Sequence, residues 1–186
     1  EEIRRERRGF MNSYDSWAKG RRTLLKTATT DPLTQLPNRL HGEDFLSMEW
    51  TSARHSGRPL ACLMLDLDHF KRINDRYGHG VGDEVLCQVV EIILGSLRSE
   101  DLAFRYGGEE FVVICPGANL HTALQVGERI RHTVQDAAFP QIGHTVTLSI
   151  GVSVAKDSHH GYKDLLRDAD EALYRSKQKG RNRVEA

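Results

Sequence analysis

The sequence predicts an α+β fold, a mixed α/β domain in which helices and strands pack around one sheet. Short apolar runs alternate with longer amphipathic segments along its 186 residues, and a pair of glycines between two short runs gives a hairpin signal. An apolar run over 59–67 is typical of a buried strand, and alternation over 145–154 is typical of another. The length suits one domain with a short extension, and it allows a core without disulfides.

The first segment, residues 1–28, is predicted to be a charged helix. Its apolar residues recur at heptad spacing, at Ile3, Phe10, Trp17 and Leu24. The matching d-type positions are poor, so any coiled coil is weak, and the helix either packs on its own domain or acts as a dimerising linker. Residues 30–32 (TDP) end the pattern, because proline favours the start of a new helix. We therefore expect a linker or signalling helix over 1–30 and a catalytic domain over 31–186.

The first half of that domain is predicted to alternate helix and strand. A turn over 36–39 leads into a helix over 39–56, and Pro59 marks the break before the buried strand. A short helical turn over 69–76 follows. A longer helix is predicted over 80–98, because its apolar residues fall on one side.

The second half is predicted to open with a β-hairpin. Strands over 102–105 and 110–115 flank Gly107-Gly108, which is a turn signal. A helix over 119–136 then leads to the alternating strand. A last helix over 161–178 is followed by Gly180, a residue that commonly ends helices.

Composition limits the functions that this chain can have. Lys and Arg balance Asp and Glu at 26 each, so no overall charge favours a polyanion, and we expect no nucleic-acid partner. The three cysteines have no paired spacing and are expected to be buried thiols in a reducing, cytoplasmic setting. No apolar stretch approaches the ~20 residues of a membrane span. Because the sequence begins at Glu1, we expect a piece of a longer protein, whose missing parts could include a sensory or membrane segment.

Two pairs of carboxylates are the strongest candidates for a metal site. Asp66 and Asp68 follow a buried strand, and Glu109 and Glu110 follow the two hairpin glycines, which let backbone approach a ligand closely. Magnesium prefers such hard oxygen ligands together with substrate phosphates. Each pair alone has an ordinary alternative, namely helix-capping acids for the first pair and solvated hairpin acids for the second.

Basic and amide side chains supply the candidate ligands for a nucleotide. Lys177 and Arg181 stand among four cations around Gly180, where they either complement the helix dipole or hold a triphosphate. Lys71, Asn74 and Asp83 form a second group. Asn and Asp side chains match the donors on the guanine edge, although isolated residues of these types are more often caps or surface groups.

Taken together, these residues resemble the GGDEF family of diguanylate cyclases. Residues 105–111 (RYGGEEF) are similar to the family signature, with Glu for Asp at its third position. Four other motifs stand in the family's order, and five matches in order are not credible as chance. They are residues 31–39 (DPLTQLPNR), 66–75 (DLDHFKRIND) with Gly78-His79 and Gly82-Asp83, 148–151 (LSIG), and 169–174 with Lys177 and 180–182 (GRN).

The resemblance implies a central, mostly antiparallel sheet flanked by helices, as in the palm of nucleotidyl cyclases and polymerases. It also implies that Asp66, Glu109 and the Leu67 carbonyl hold Mg²⁺, with Mn²⁺ as an alternative ion. Glu110 would be a second ligand or a proton acceptor. The substrate-binding set would comprise Asn74 and Asp83 on guanine, Lys177 and Arg181 on the phosphates, and Lys71 with the backbone near His69, Phe70, Gly107 and Gly108.

The implied reaction joins two GTP molecules into cyclic di-GMP with release of pyrophosphate. Each domain would hold one GTP, so a homodimer is expected. An upstream sensor would act through residues 1–30. Two rivals are a silent receptor for GTP or cyclic di-GMP, and a structural dimerisation module; the intact residues of the hairpin and nucleotide site argue against both.

An RxxD sequence lies just before the hairpin, at residues 98–101 (RSED). In this family that placement forms an inhibitory site for the product, so Arg98 and Asp101 are expected to bind cyclic di-GMP, with Arg129 contributing from a neighbouring domain. Arginine pairs with phosphate and stacks on guanine. The ordinary alternative is a salt bridge at a helix C-terminus.

Overall fold

The computed structural model describes residues 29–186, so the predicted helix over 1–28 lies outside the described residues. Five helices and five strands form within this part of the chain. In order they are α1 (Arg39–Ser56), β1 (Leu60–Leu67), α2 (Phe70–Tyr77), α3 (His79–Gly95), β2 (Leu102–Arg105), β3 (Glu110–Pro116), α4 (Leu120–Asp136), β4 (Leu148–Val154), α5 (Tyr162–Gln178) and β5 (Val184–Glu185). No helix among these residues has both the length and the apolar character needed to cross a membrane.

The strands form one sheet in the order β2-β3-β1-β4-β5. All neighbours are antiparallel except β4 and β5, which are parallel. This confirms the predicted mixed α/β fold with a mostly antiparallel sheet. Strand β1 is central and buried along its whole length, and its register places Asp66 opposite Glu110 of β3.

Each face of β1 contributes to a separate apolar cluster, because successive side chains of a strand point to opposite faces. Leu63 and Leu65 pack with buried residues of α3 and α4. Leu60, Cys62 and Met64 pack with buried residues of α1 and α5. By the same alternation Asp66 points toward the α5 face, and this brings it to the end of α5.

Helix α5 packs against β4 at very short range. A Cβ atom on Gly151 would lie 2.1 Å from both the Ala169 carbonyl oxygen and the Leu173 amide nitrogen. Only glycine therefore permits this approach of helix to strand. The contact fixes the position of α5 along β4. It therefore also fixes Lys177, which lies two turns beyond Ala169.

Two predicted boundaries were wrong and one strand was missed, each for a tertiary reason. Helix α3 ends at Gly95 rather than at residue 98, and the turn that follows is held by the Arg129 guanidinium on the Ser96 carbonyl oxygen. Strand β4 begins at Leu148 rather than at residue 145, because β1 ends opposite Leu148. The two-residue strand β5 was not predicted at all.

Candidate active site

The end of β1 and the tip of the β2–β3 hairpin meet at one place. Asp66 is 8% exposed, and its neighbour Leu67 donates its amide to the Glu109 carbonyl oxygen at 3.3 Å. The two predicted carboxylate groups therefore share one site. Glu110 completes it from the first position of β3, directly opposite Asp66.

Lys177 supplies the cation that faces these acids. Its Nζ atom lies 2.8 Å from Oδ2 of Asp66. Burial raises the pKa of Asp66, while the Lys177 ammonium opposes that rise and the charge of Asp68 adds to it. Lys177, which was predicted to bind phosphate, is thus paired with Asp66, which was predicted to bind metal.

Glu109 is also electrostatically unfavourable as an anion. Its pKa is raised by burial first, and then by the charges of Asp66 and Glu110. Two adjacent carboxylates that repel each other and lose water gain most from a bound cation, so their chemistry fits a divalent metal. Residues 29–186 contain no preformed group of three or more His, Cys, Asp or Glu ligands.

Asp68 was grouped with Asp66 as a candidate metal ligand in the sequence, but in the structure it has a different role. It is 6% exposed, and its carboxylate accepts hydrogen bonds from the Ser149 hydroxyl at 2.6 Å and the Thr147 hydroxyl at 2.7 Å. It also accepts the Asn182 amide at 3.1 Å. Neither aspartate caps α2, whose N-cap is His69 with no side-chain hydrogen bond. The alternative of helix-capping acids was therefore wrong.

The Gly107-Gly108 turn is held by Arg105. Its guanidinium donates to the Gly107 carbonyl at 3.1 Å and to the Gly108 carbonyl at 2.7 Å, and it also reaches Asp31 at 2.9 Å. The Arg105 and Asp31 side chains are each only 17% exposed. A Cβ on Gly107 would lie 2.7 Å from Glu110 Oε2, so a larger residue there would push the Glu110 carboxylate aside. The ion pair ties the hairpin tip to the start of the main domain.

The predicted base-reading residues lie between α2 and α3. Asn74 Oδ1 is buried and is the one buried side-chain N or O atom of the described residues without a hydrogen-bond partner. Such an atom is costly unless a ligand satisfies it. Gly82 makes room for it, because a Cβ there would lie 1.9 Å from Asn74 Oδ1. Asp83 and Lys71 are both exposed, the first in the second turn of α3 and the second in the opening turn of α2.

Helix α2 brings backbone donors to the same region. His69 has a left-handed backbone with φ 59°, and Phe70, whose side chain is buried, begins the helix. The first amides of a helix have no acceptor within it and favour anions. The predicted contribution of backbone near His69 and Phe70 to a phosphate cradle is compatible with this geometry.

The loop after α5 carries Arg181, which is exposed. Gly180, Arg181 and Asn182 all have positive φ, at 108°, 62° and 46°. Such a conformation costs a residue like arginine on the order of 1 kcal/mol, so the surroundings must hold it in place. The Arg181 amide donates to the Ser176 carbonyl oxygen at 3.0 Å.

The RxxD segment forms a turn rather than a helix end. Asp101 accepts the backbone amide of Arg98 at 3.0 Å, and the Arg98 guanidinium makes no hydrogen bond or salt bridge to another described residue. The alternative of a side-chain salt bridge between them was therefore wrong. Arg129 is on α4 and donates to the Ser96 carbonyl oxygen at 2.6 Å, so it lies beside the same turn.

Comparisons with known proteins point to one family. The family model for the diguanylate cyclase GGDEF domain matches residues 28–183. Diguanylate cyclase DosC of Escherichia coli (strain K12) is 40% identical over 157 residues, covering 83% of this chain and 34% of the relative. Response regulator PleD of Caulobacter vibrioides is 42% identical over 165 residues, covering 86% and 36%. The chain thus spans about a third of the length of these curated relatives.

Similar solved structures are of the same family. The coiled coil and GGDEF domain of DgcB from Caulobacter crescentus, in complex with c-di-GMP, matches with a TM-score of 0.90 at 30% identity and covers all of both chains. The active GGEEF domain of a diguanylate cyclase from Vibrio cholerae matches with a TM-score of 0.78 at 34% identity, covering 81% of this chain and 97% of that one. The chain therefore belongs to the GGDEF family of diguanylate cyclase domains.

Proposed function

We propose that this chain is a catalytic domain that condenses two GTP molecules into cyclic di-GMP. The observation that carries the proposal is the meeting of Asp66 and Glu109 at the end of β1, where both carboxyl pKa values are raised and Lys177 lies within hydrogen-bond distance of one of them. Such a pair is suited to a divalent cation that bridges substrate phosphates. The unpartnered Asn74 Oδ1 supports a nucleotide base close by.

In this proposal Asp66, Glu109 and the Leu67 carbonyl hold Mg²⁺, for which Mn²⁺ could substitute. When bound, the metal would lower the pKa of the attacking hydroxyl and stabilise charge on the phosphate. Glu110 would be a further ligand or a proton acceptor. The 3′-oxygen of one GTP forms a bond to the α-phosphorus of the other, the bond to pyrophosphate breaks, and a second such step closes the ring.

The remaining residues bind and orient the substrate. Lys177 and Arg181 would take the β- and γ-phosphates, with Lys71 and the first amides of α2 beside them. Asn74 and Asp83 would accept from the donors of guanine, which adenine does not match. Gly107 and Gly108 would allow the hairpin backbone to approach the nucleotide.

One domain of this size carries one set of these residues, so the reaction would need two domains facing each other as a homodimer. Residues 1–30 would control that meeting on behalf of an upstream sensory domain, in a cytoplasmic protein or on the cytoplasmic side of a membrane-bound one. The coiled coil named for the DgcB relative supports a role of this kind. Equal activity and equal dimer affinity for residues 31–186 alone would refute the role of residues 1–30.

Arg98, Asp101 and Arg129 would form an inhibitory site for the product. The unpaired guanidinium of Arg98 and the position of Arg129 beside the same turn support a ligand with phosphates and purines. Two similar structures, both of DgcB from Caulobacter crescentus, are in complex with c-di-GMP, which supports a ligand of this kind.

The direct test is chromatography of nucleotides after the protein is incubated with GTP and Mg²⁺, beside a Glu109→Ala variant. We expect cyclic di-GMP and pyrophosphate from the parent and a loss on the order of 10²-fold or more in the variant. If the parent forms no product even at high concentration with domains forced to dimerise, the receptor function replaces the cyclase.

A further inference from the structure

We propose that Arg131 of α4 is a positioning residue for the nucleotide's triphosphate, acting through Asn182. The inference rests on the proposed function, since it concerns the phosphate-binding role of Lys177 and Arg181. Arg131 lies outside every motif used to recognise the family, and it touches none of the proposed ligands.

The loop that follows α5 needs external support. Arg181 and Asn182 are non-glycine residues with left-handed backbones, at φ 62° and 46°. Asparagine tolerates this conformation, but arginine does so only when its surroundings fix it. The Arg181 side chain is exposed, so nothing about its own packing accounts for the fold of the loop.

Besides the backbone bonds of Arg181 to Ser176 and of Arg183 to Ile150, three hydrogen bonds of Asn182 hold the loop. Its backbone amide donates to the buried Asp68 carboxylate at 3.1 Å. Its side-chain oxygen accepts from Nη1 of Arg131 at 2.9 Å, and its side-chain nitrogen donates to Gln135 at 3.1 Å. One anchor therefore comes from the end of β1 and the other two come from α4, so the loop is held from two sides.

Arg131 is built to hold a fixed position. Its side chain is 11% exposed, its Nε donates to Glu128 at 2.8 Å, and its Nη1 also donates to Gln135 at 2.7 Å. The planar guanidinium makes these bonds in a fixed geometry that a lysine ammonium cannot reproduce. Glu128 offsets the charge, so Arg131 contributes a rigid support rather than a free cation for phosphate.

Loss of the Arg131 support should weaken binding of the phosphates and leave binding of the base unchanged. Arg181 directly precedes Asn182, and Lys177 lies at the end of the helix that leads into the loop. Release of Asn182 from α4 would remove two of the bonds that hold the loop, so the Arg181 guanidinium would no longer be held in one position. Asn74 and Gly82 belong to α2 and α3, which make no hydrogen bond to this network, so recognition of guanine should be retained.

The experiment measures affinity for two ligands in the presence of Mg²⁺. They are 3′-deoxy-GTP, which lacks the attacking hydroxyl, and GMP, which lacks the β- and γ-phosphates. For Arg131→Ala and Arg131→Lys we expect affinity for 3′-deoxy-GTP to fall on the order of ten-fold, the size typical of losing an outer partner that orients a binding group. Affinity for GMP should stay unchanged. Arg167→Ala, an exposed arginine of α5, is the matched control and should change neither.

A second variant, at Asn182, tests the side chain of that residue without straining its backbone. Asn182→Gly adopts a left-handed backbone freely but loses both side-chain bonds to α4. We expect it to lose affinity for 3′-deoxy-GTP as Arg131→Ala does, with unchanged affinity for GMP. Full affinity in Asn182→Gly or in Arg131→Ala would overturn the inference, and so would equal losses for the two ligands, which indicate general damage. If the parent binds neither nucleotide, the proposed function itself fails.

Discussion

Lys177 Nζ lies 2.8 Å from Asp66 Oδ2, so a proposed phosphate ligand neutralises a proposed metal ligand when neither partner is bound. The two roles compete, because the ammonium and a divalent cation require the same carboxylate. We expect Lys177→Met to bind Mn²⁺ more tightly than the parent in the absence of nucleotide. Its rate of cyclic di-GMP synthesis should nevertheless fall by about 10- to 100-fold, since a charge-assisted phosphate contact is lost.

Paramagnetic resonance of free and bound Mn²⁺ measures the first quantity, and product chromatography measures the second. Lys179→Met is a suitable control, because Lys179 pairs with Glu185 at 2.6 Å rather than with Asp66. Metal affinity that is unchanged or weaker in Lys177→Met would contradict the competition.

Glu109 should destabilise the metal-free protein at neutral pH. Its folded-state pKa is raised above the ordinary value of 4.5, chiefly by burial and then by Asp66 and Glu110. The folded state therefore binds this proton more tightly than the unfolded state, and stability falls as pH rises from about 4.5 through the raised pKa. Glu109→Gln should raise the melting temperature at pH 7 to 8, and the difference should vanish near pH 4.

The same variant should lose activity by on the order of 10²-fold or more and gain no stability from added Mg²⁺ or Mn²⁺. Thermal unfolding with and without metal across this pH range measures both effects. Glu91→Gln, an exposed acid on α3, provides the comparison. A lower melting temperature for Glu109→Gln at pH 8 would show that the carboxylate stabilises the metal-free fold.

Gly82 and Gly80 offer a matched test of the base site. A Cβ on Gly82 would lie 1.9 Å from Asn74 Oδ1, whereas a Cβ on Gly80 meets nothing within 4 Å. We expect Gly82→Ala to displace Asn74 and raise the KM for GTP at least ~10-fold, because the site is built to hydrogen-bond its ligand. Gly80→Ala should leave the KM unchanged. Steady-state kinetics with GTP measure the KM of each variant. Equal KM values for the two variants would show that Asn74 does not take part in recognition of the base.

Most of the sheet could be predicted because its strands carry local patterns. The family resemblance, carried by the motifs around Asp66 and Glu109, also predicted that these two acids share one site. Strand β5 could not be predicted, since two residues carry no period and its pairing with β4 depends on the returning chain. The end of α3 was misplaced because the following turn is held by Arg129, more than thirty residues later.

Asp68 shows the main limit of sequence reasoning about the site. Its partners are Thr147, Ser149 and Asn182, which follow it by about 80 to 114 residues. Nothing local distinguishes an acid that binds three distant donors from one that caps a helix. The Gly-Arg-Asn sequence at 180–182 does indicate a left-handed turn after α5, because glycine and asparagine both favour left-handed backbone.

Arg98 provides the test of product inhibition. Asp101 is already bound to the Arg98 amide, while the Arg98 guanidinium has no hydrogen-bond or salt-bridge partner within residues 29–186 and is available to phosphate and guanine. We expect Arg98→Ala to require at least ~10-fold more cyclic di-GMP for half-inhibition, because a bidentate phosphate contact is lost. The readout is the ratio of rates with and without added product, so a change in turnover alone does not affect it. Arg54→Ala removes an exposed arginine that pairs with Asp157 instead and should keep the parent ratio. Parent-like inhibition in Arg98→Ala would place the inhibitory contact elsewhere on the domain.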